Sequence, residues 1–221
     1  MTGHYAQLAF TPLVTRHQAT HGSAGAYARM AESGDAPDRI GPDEAAFIES
    51  RDSFFIATVS ETGWPYVQHR GGPPGFLQVV DDTTLGFADF RGNRQYITRG
   101  NLDHDPRVSL FLVDYQLQAR MKILGRARVV EPEREPGMLS RLTPPDYAAR
   151  IERAVLIEVE AFDWNCRQHI PAMVPLHTVQ HTISELAGRI ADLEAELAEA
   201  KGAPGLSERR AGQVGREWGP Q

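Results

Sequence analysis

Alternation of apolar and polar residues with a period of two runs through the middle of the chain, the mark of strands that bury one face. Ser53 to Ser60 is rich in β-branched and aromatic residues, turns at Glu61-Thr62-Gly63 and returns as Pro65 to Arg70. Phe76 to Val80 and Leu85 to Phe90, joined at Asp81-Asp82-Thr83, predict a second hairpin. Arg107 to Val113, Arg120 to Val130 and Ala154 to Ala161 follow as further strands. Around six strands with one or two inserted helices predict a mainly β chain, a six-stranded, closed or nearly closed antiparallel barrel with flanking helices. After Phe90, Gly92-Asn93 breaks the strand, and Asn93 is placed to cap a helix running to about Asp103. Pro132 to Arg150 is interrupted by prolines and reads as a short helix and a loop over the barrel.

The period changes at both ends. Residues 1–50 combine short helical pieces such as Ala24 to Glu32 with a Gly/Asp/Pro-rich stretch, and read as a helical arm and linker ahead of the barrel at 51–175. Leu176, Val179, Ile183, Leu186, Ile190, Leu193 and Leu197 alternate spacings of three and four, the heptad seam of a coiled coil over 176–201. Ile at the first seam position with Leu at the second prefers two parallel strands, and the flanks then set Arg189 opposite Glu194 and Glu196 opposite Lys201 of the partner helix. The alternative is that this stripe packs on its own barrel. Residues 202–221 are Gly-, Arg- and Glu-rich and are expected to be disordered.

Charge and composition narrow the function. A net charge of −6 without a basic stripe argues against nucleic acid as partner. One cysteine, Cys166, makes no internal disulfide and reads as a packing residue. No apolar run approaches the length of a membrane span, and the opening MTGHYAQLAFTPLVTRHQ lacks the features of a secretory signal, so a cytoplasmic location is the default expectation. His177 and His181 have metal-pair spacing but no third ligand, and no metal site is expected.

The chemistry concentrates between Leu85 and Leu112. A strand ending in Gly92-Asn93-Arg94-Gln95 ahead of a helix offers free backbone N–H groups, the positive end of a helix dipole and a guanidinium, a set suited to a phosphate. Arg70 precedes Gly71-Gly72-Pro73-Pro74-Gly75, whose glycines would let backbone approach a flat ligand. Gln68 and His69 point to opposite sides of their strand, and the period does not say which faces a site.

This turn, with Asp105-Pro106-Arg107-Val108-Ser109 opening the next strand, resembles the flavin-binding core of the pyridoxamine 5′-phosphate oxidase superfamily, the FMN-binding split barrels. The likeness runs from about Phe54 to His169, and the segments Gln68 to Gly75 and Trp164 to Ile170 resemble a flavin-nucleotide-binding subgroup. The resemblance implies FMN as cofactor, held by His69, Arg70, Gly71, Gln78, Asp89, Asn93, Arg94, Gln95 and Arg120. It further implies a homodimer in which Trp164 and Gln168 reach a flavin site at the subunit interface.

Departures from the pattern matter as much. Asp89 stands where the oxidases have a threonine, Ala88 replaces a tyrosine, and Gln95 replaces the lysine after the arginine, so the grip has lost a positive charge and would borrow Arg70 or Gln78. Arg120 stands where they carry a glutamine, and a cation there would stabilise the reduced flavin. Met138 to Pro145, with Tyr147 and Arg150, does not reproduce the residues that hold the substrate phosphate. The expectation is an FMN flavoprotein and oxidoreductase, transferring hydride or electrons between NAD(P)H or a small donor and an unidentified acceptor, and not a true pyridoxamine phosphate oxidase. The alternatives are a non-catalytic flavin-nucleotide-binding or sensing module, the same fold with a deazaflavin or haem, and an assembly protein acting through its coiled coil.

Overall fold

The computed structural model describes residues 2–32, 36–165 and 167–201. Cys166 and the expected disordered tail therefore lie outside the described residues, as does part of the linker. Helices α1 (Gly3–Ala9), α2 (Pro12–Thr20), α3 (Ala24–Ala31) and α4 (Pro42–Glu49) lead into strands β1 (Ser53–Val59), β2 (Pro65–Gly71), β3 (Leu77–Asp81) and β4 (Thr84–Phe90). Then come α5 (Ile97–His104), β5 (Arg107–Asp114), β6 (Ala119–Val130), α6 (Pro136–Leu142), β7 (Ile151–Trp164) and α7 (Leu176–Ala200).

Seven strands, one more than the six expected, form a single antiparallel sheet in the order β2-β1-β5-β6-β7-β4-β3. All seven segments carry the strand pattern, so the discrepancy lies in the strand number assigned to the barrel. The two edge strands, β2 and β3, are joined only by residues 72–76. In a flat seven-stranded sheet they would lie about 29 Å apart, whereas six Cα steps reach about 21 Å, so the sheet has to curl. Contacts inside the curl agree: Phe54 of β1 lies 5.6 Å from the Phe76 ring and 5.3 Å from that of Phe87 on β4, edge-on to the latter. The result is a split barrel, open between β2 and β3.

Inward residues alternate along each strand. Phe54, Ile56 and Thr58 of β1, Val108, Leu110 and Leu112 of β5, and Met121 and Ile123 of β6 are buried. Helix α4 closes one end, as Phe47 meets the Trp164 ring at 4.8 Å. Glu44 accepts hydrogen bonds from the Gly41 N–H at the start of α4 and from Trp164 Nε1 at 2.9 Å, tying helix to strand. Outside the barrel, Leu142 of α6 is buried with Val130, Ala154 and Leu156, as expected of a helix laid over the sheet.

The N-terminal arm is tied to the barrel rather than loose. The Asp38 carboxylate accepts from the Phe162 N–H at 2.9 Å and from the Thr2 hydroxyl, and Tyr5 and Ala6 are buried. Burial and the nearby Asp163 carboxylate raise the Tyr5 phenol above its ordinary pKa. Residues from 173 onward form a second unit, whose described structure is dominated by α7, with its heptad seam exposed. Among the described residues no helix is long and apolar enough to cross a membrane.

Two sites test this architecture. Gly125 sits at an irregularity in the β6–β7 pairing, and a Cβ there would come within 2.5 Å of the Glu158 carbonyl oxygen. Gly125→Ala is expected to destabilise the fold by about 1–3 kcal/mol, read as a lowered urea midpoint, because backbone cannot yield as a side chain would. At the α5–β5 turn, the hydrogen-bonded guanidinium of Arg107 holds the Asp105 carboxyl down at about 2. A carboxylate depressed in the folded state adds stability above its unfolded pKa and loses it as pH falls through the folded value. Carboxyl-detected NMR should show Asp105 titrating near that low value, and Arg107→Ala should return it toward the ordinary range; an unchanged titration would remove the pair from the account.

Candidate cofactor-binding cleft

Alternation along β2 settles the choice between Gln68 and His69. Tyr66, Gln68 and Arg70 are partly buried on one side, while Val67 and His69 are exposed on the other. Gln68 accepts a 2.6 Å hydrogen bond from the Thr98 hydroxyl at the start of α5. His69 packs edge-on against Phe55, 5.4 Å away.

Across the split from β2, strand β4 ends in Asp89 and Phe90, with a pairing irregularity between them that breaks the strand's register. Asp89 lies 2.6 Å from Arg70 and 3.8 Å from Arg153, which is its register partner on β7. Arg153 also pairs with Glu152 at 3.0 Å, and Glu152 approaches Arg91 at 3.8 Å. The Nε–H groups of Arg70 and Arg153 are buried and donate no hydrogen bond among the described residues. Near this end the cleft lining carries Arg70, Arg91 and Arg94 against Asp89 and Glu152, a positive balance in a chain of net charge −6.

The turn after β4 differs from the expectation. Helix α5 starts at Ile97, so Asn93 caps no helix and Arg94 lies outside its first turn. Asn93 Oδ1 accepts instead from the Gln95 N–H at 3.2 Å, closing a local turn of the kind asparagine favours. Arg94 and Tyr96 both take left-handed backbone conformations, with φ of 61° and 55°. Each costs about 1–3 kcal/mol for a residue with a side chain, a strain that tends to gather at ligand sites. No side chain caps α5, whose free N–H groups therefore face the same turn. Arg94 Nε donates to the Tyr96 hydroxyl at 3.0 Å, and that hydrogen bond, followed by the Glu152 carboxylate, raises the Arg94 pKa further.

These elements enclose two adjoining hollows of about 230 and 310 Å³ that share Gln68, Arg70, Asp89, Phe90 and Gly92. Arg70, Gly71, Asp89, Asn93, Arg94 and Gln95 line this cleft, and His69 borders the second hollow although its ring packs on Phe55. Gln78 and Arg120 do not line it, and Trp164 and Gln168, expected to reach a site on a partner subunit, lie away from the cleft of their own subunit. Gln78 pairs with Gly86 and so faces away from Leu77 and Val79, on the side of β4 opposite Asp89. Arg120 pairs with Val113 and alternates with the inward Met121, which puts it on the outer face. Trp164 is held under α4 by Glu44, and Gln168 is exposed in a turn after β7.

The sequence pattern did not single out Tyr66, Tyr96, Thr98 and Glu152, which line the first hollow, or Phe90 and Tyr147, whose rings meet at a tilt 5.0 Å apart beside the second. Period two marks Tyr66, but Glu152 reaches the cleft only because β7 begins before Ala154. The glycine turn also plays another part: a Cβ on Gly72 would strike the Phe76 ring at 2.6 Å, so that glycine serves packing. Among the described residues no group of three His, Cys, Asp or Glu side chains could hold a metal.

A family model for pyridoxamine 5′-phosphate oxidase matches residues 40–166. No curated protein matches the chain. Among solved structures, a putative pyridoxamine 5′-phosphate oxidase from Lactobacillus delbrueckii is 18% identical, with 57% of this chain and 93% of that one covered at a TM-score of 0.43. Group A Streptococcus HupZ is 16% identical over 61% of this chain and 99% of its own, at a TM-score of 0.43. An FMN-binding protein from Syntrophomonas wolfei is 15% identical over 55% and 83%, at 0.39. The match to the family model takes in all seven strands, the turn at Arg94 and both walls of the cleft, and on that ground the chain belongs to the pyridoxamine 5′-phosphate oxidase family.

Proposed function

We propose that the cleft binds FMN and that the protein is an oxidoreductase acting on a small molecule. The observation that carries this reading is a conjunction on one rim: the uncapped start of α5, the left-handed turn through Arg94 and Tyr96, and the Arg94 guanidinium. Free N–H groups beside a guanidinium suit a terminal phosphate dianion. Phe90 and Tyr147, further along, offer apolar aromatic wall to a flat ring system. In this reading Asn93, Arg94 and Gln95 hold the phosphate, while Gln68, Arg70, Gly71 and Asp89 line the rest. A bound flavin supplies hydride or electron transfer, and the protein supplies orientation and charge around it.

The substrate is read as something other than pyridoxamine phosphate. Of the segment that would have to hold its phosphate, Met138 to Leu142 lie in α6, where Leu142 is buried against Gly86 on the side of β4 away from Asp89, and Tyr147 alone of the residues named for it lines the cleft. NAD(P)H is the donor to try first.

The reading includes a homodimer with the flavin sites at the subunit interface. Strands β1 and β2 expose Phe55, Val59 and Val67 on their outer face, and β2 is both a sheet edge and a wall of the cleft. Contiguous exposed apolar side chains of this kind mark association surfaces.

Two measurements bear on this. The purified chain should be yellow or bind added FMN with micromolar or better affinity. Arg94→Ala should weaken that binding at least about tenfold, equal to about 1.4 kcal/mol, while Gln78→Ala leaves it unchanged. Colourless protein that ignores FMN would sink the proposal, and bound flavin that no nicotinamide bleaches anaerobically would leave binding without turnover. For the barrel interface, Val67→Asp in a chain whose exposed α7 stripe also carries Ile190→Asp should lower the mass seen by light scattering, or weaken self-association about tenfold or more, and loosen FMN with it; unchanged FMN affinity in a dissociated protein would mean that one subunit makes the whole site.

A further inference from the structure

Helix α7 carries a second feature, independent of the flavin reading. It is 25 residues long, and Leu176, Val179, Ile183, Leu186, Ile190, Leu193 and Leu197 are between 39% and 71% exposed. These seven form one stripe along about 32 Å of helix. In proteins most of the stability of such a helix comes from covering its apolar stripe rather than from helix propensity. We propose that the cover is the same helix of a second copy of this chain, in a parallel, in-register, two-stranded coiled coil.

The seam chemistry favours two strands. Ile183 and Ile190 occupy the first core position and Leu186 and Leu193 the second, the β-branched and γ-branched alternation that fits the dimer's packing geometry. No polar residue interrupts the seam.

The flanking charges choose the partner and its direction. In a parallel in-register pair, Arg189 faces Glu194 of the partner subunit and Glu196 faces Lys201 of the partner subunit, and the two-fold axis repeats both attractions. An antiparallel pair using the seam from Val179 to Leu197 instead sets Arg189 against its own copy. Shifting that pair to use Leu176 to Leu193 leaves Arg189 beside Thr182 and no attractive pair at all. Within one helix Arg189 reaches Glu196 only at 4.0 Å, so its charge is not spent locally. A second copy, parallel and in register, is the arrangement that matches both the apolar stripe and its charged borders.

The test uses the full chain with Cys166→Ser, so that an added thiol is the only one. With Leu186→Cys, oxidation in a glutathione buffer should convert more than about half of the protein to a covalent dimer, because second-position residues face each other across a parallel pair. Adding Ile190→Asp should reduce that yield at least about fivefold and lower the helical circular dichroism, while adding Val67→Asp, which addresses the barrel surface, should leave it intact. Crosslinking that survives Ile190→Asp would overturn the proposal. So would crosslinking found only when Leu186→Cys is mixed with Ile190→Cys, the antiparallel signature, or a mass of three or four chains by light scattering. Failure of FMN binding with crosslinking intact would count against the flavin reading alone.

Discussion

The short connection from Gly71 to Leu77 is the constraint on which the structure turns. It joins strands at opposite edges of a seven-stranded sheet with too little chain to cross a flat one, so the sheet bends until β2 and β4 approach from opposite ends of the strand order. Arg70 and Asp89 meet across that approach at 2.6 Å, their side chains 17% and 16% exposed. Losing one partner of such a pair strands a partly desolvated charge, which makes the contact a strong determinant of how the split closes. The cleft is what the bend leaves open. Its walls are the exposed end of β2, the end of β4 and the first turn of α5, elements remote in sequence that one steric limit brings together.

The fold was largely legible in the residues because barrel strands announce themselves locally. Phe54, Ile56 and Thr58 alternate with Phe55, Ala57 and Val59, and the burial of the first set follows that period. What local pattern does not carry is register and sidedness. Gln78 looks like any polar strand residue until its pairing with Gly86 turns it away from the cleft, and Arg120 loses its place for the same reason. Trp164 shows another non-local term, because Glu44, 120 positions away, holds its indole N–H beneath α4. The helix after Arg94 starts three residues later than expected because Asn93 satisfies an Asx turn as readily as an N-cap. Both use the same side-chain oxygen, and only the later backbone decides between them.

That displaced helix start alters the logic of the anion site. A cap by Asn93 would have filled one of the N–H positions that an anion needs, whereas the observed turn leaves the start of α5 without a side-chain cap. The left-handed residues at Arg94 and Tyr96 bend the chain so that the guanidinium and the helix start share one rim. Tyr96 then links Arg94 to Glu152, donating to the carboxylate at 3.4 Å while accepting from Nε at 3.0 Å. The arginine is thus oriented through Nε, and its terminal nitrogens, the ones that make two-pronged contacts with an anion, are left to the cleft.

Asp89 completes the argument about charge. Where the resemblance would place a neutral threonine, this chain has a carboxylate bracketed by Arg70 and Arg153, whose own Nε atoms find no acceptor among the described residues. Arg70 cannot therefore simply stand in for the positive charge lost at Gln95, since it is already engaged. In the proposed reading the phosphate is left to Arg94 and the helix start, at one end of the cleft, while the Arg70–Asp89–Arg153 group holds the two halves of a split sheet together. Asp89 thus engages Arg70 in the closure of the fold, and the cleft keeps its positive balance because Arg91 and Arg94 remain on its rim.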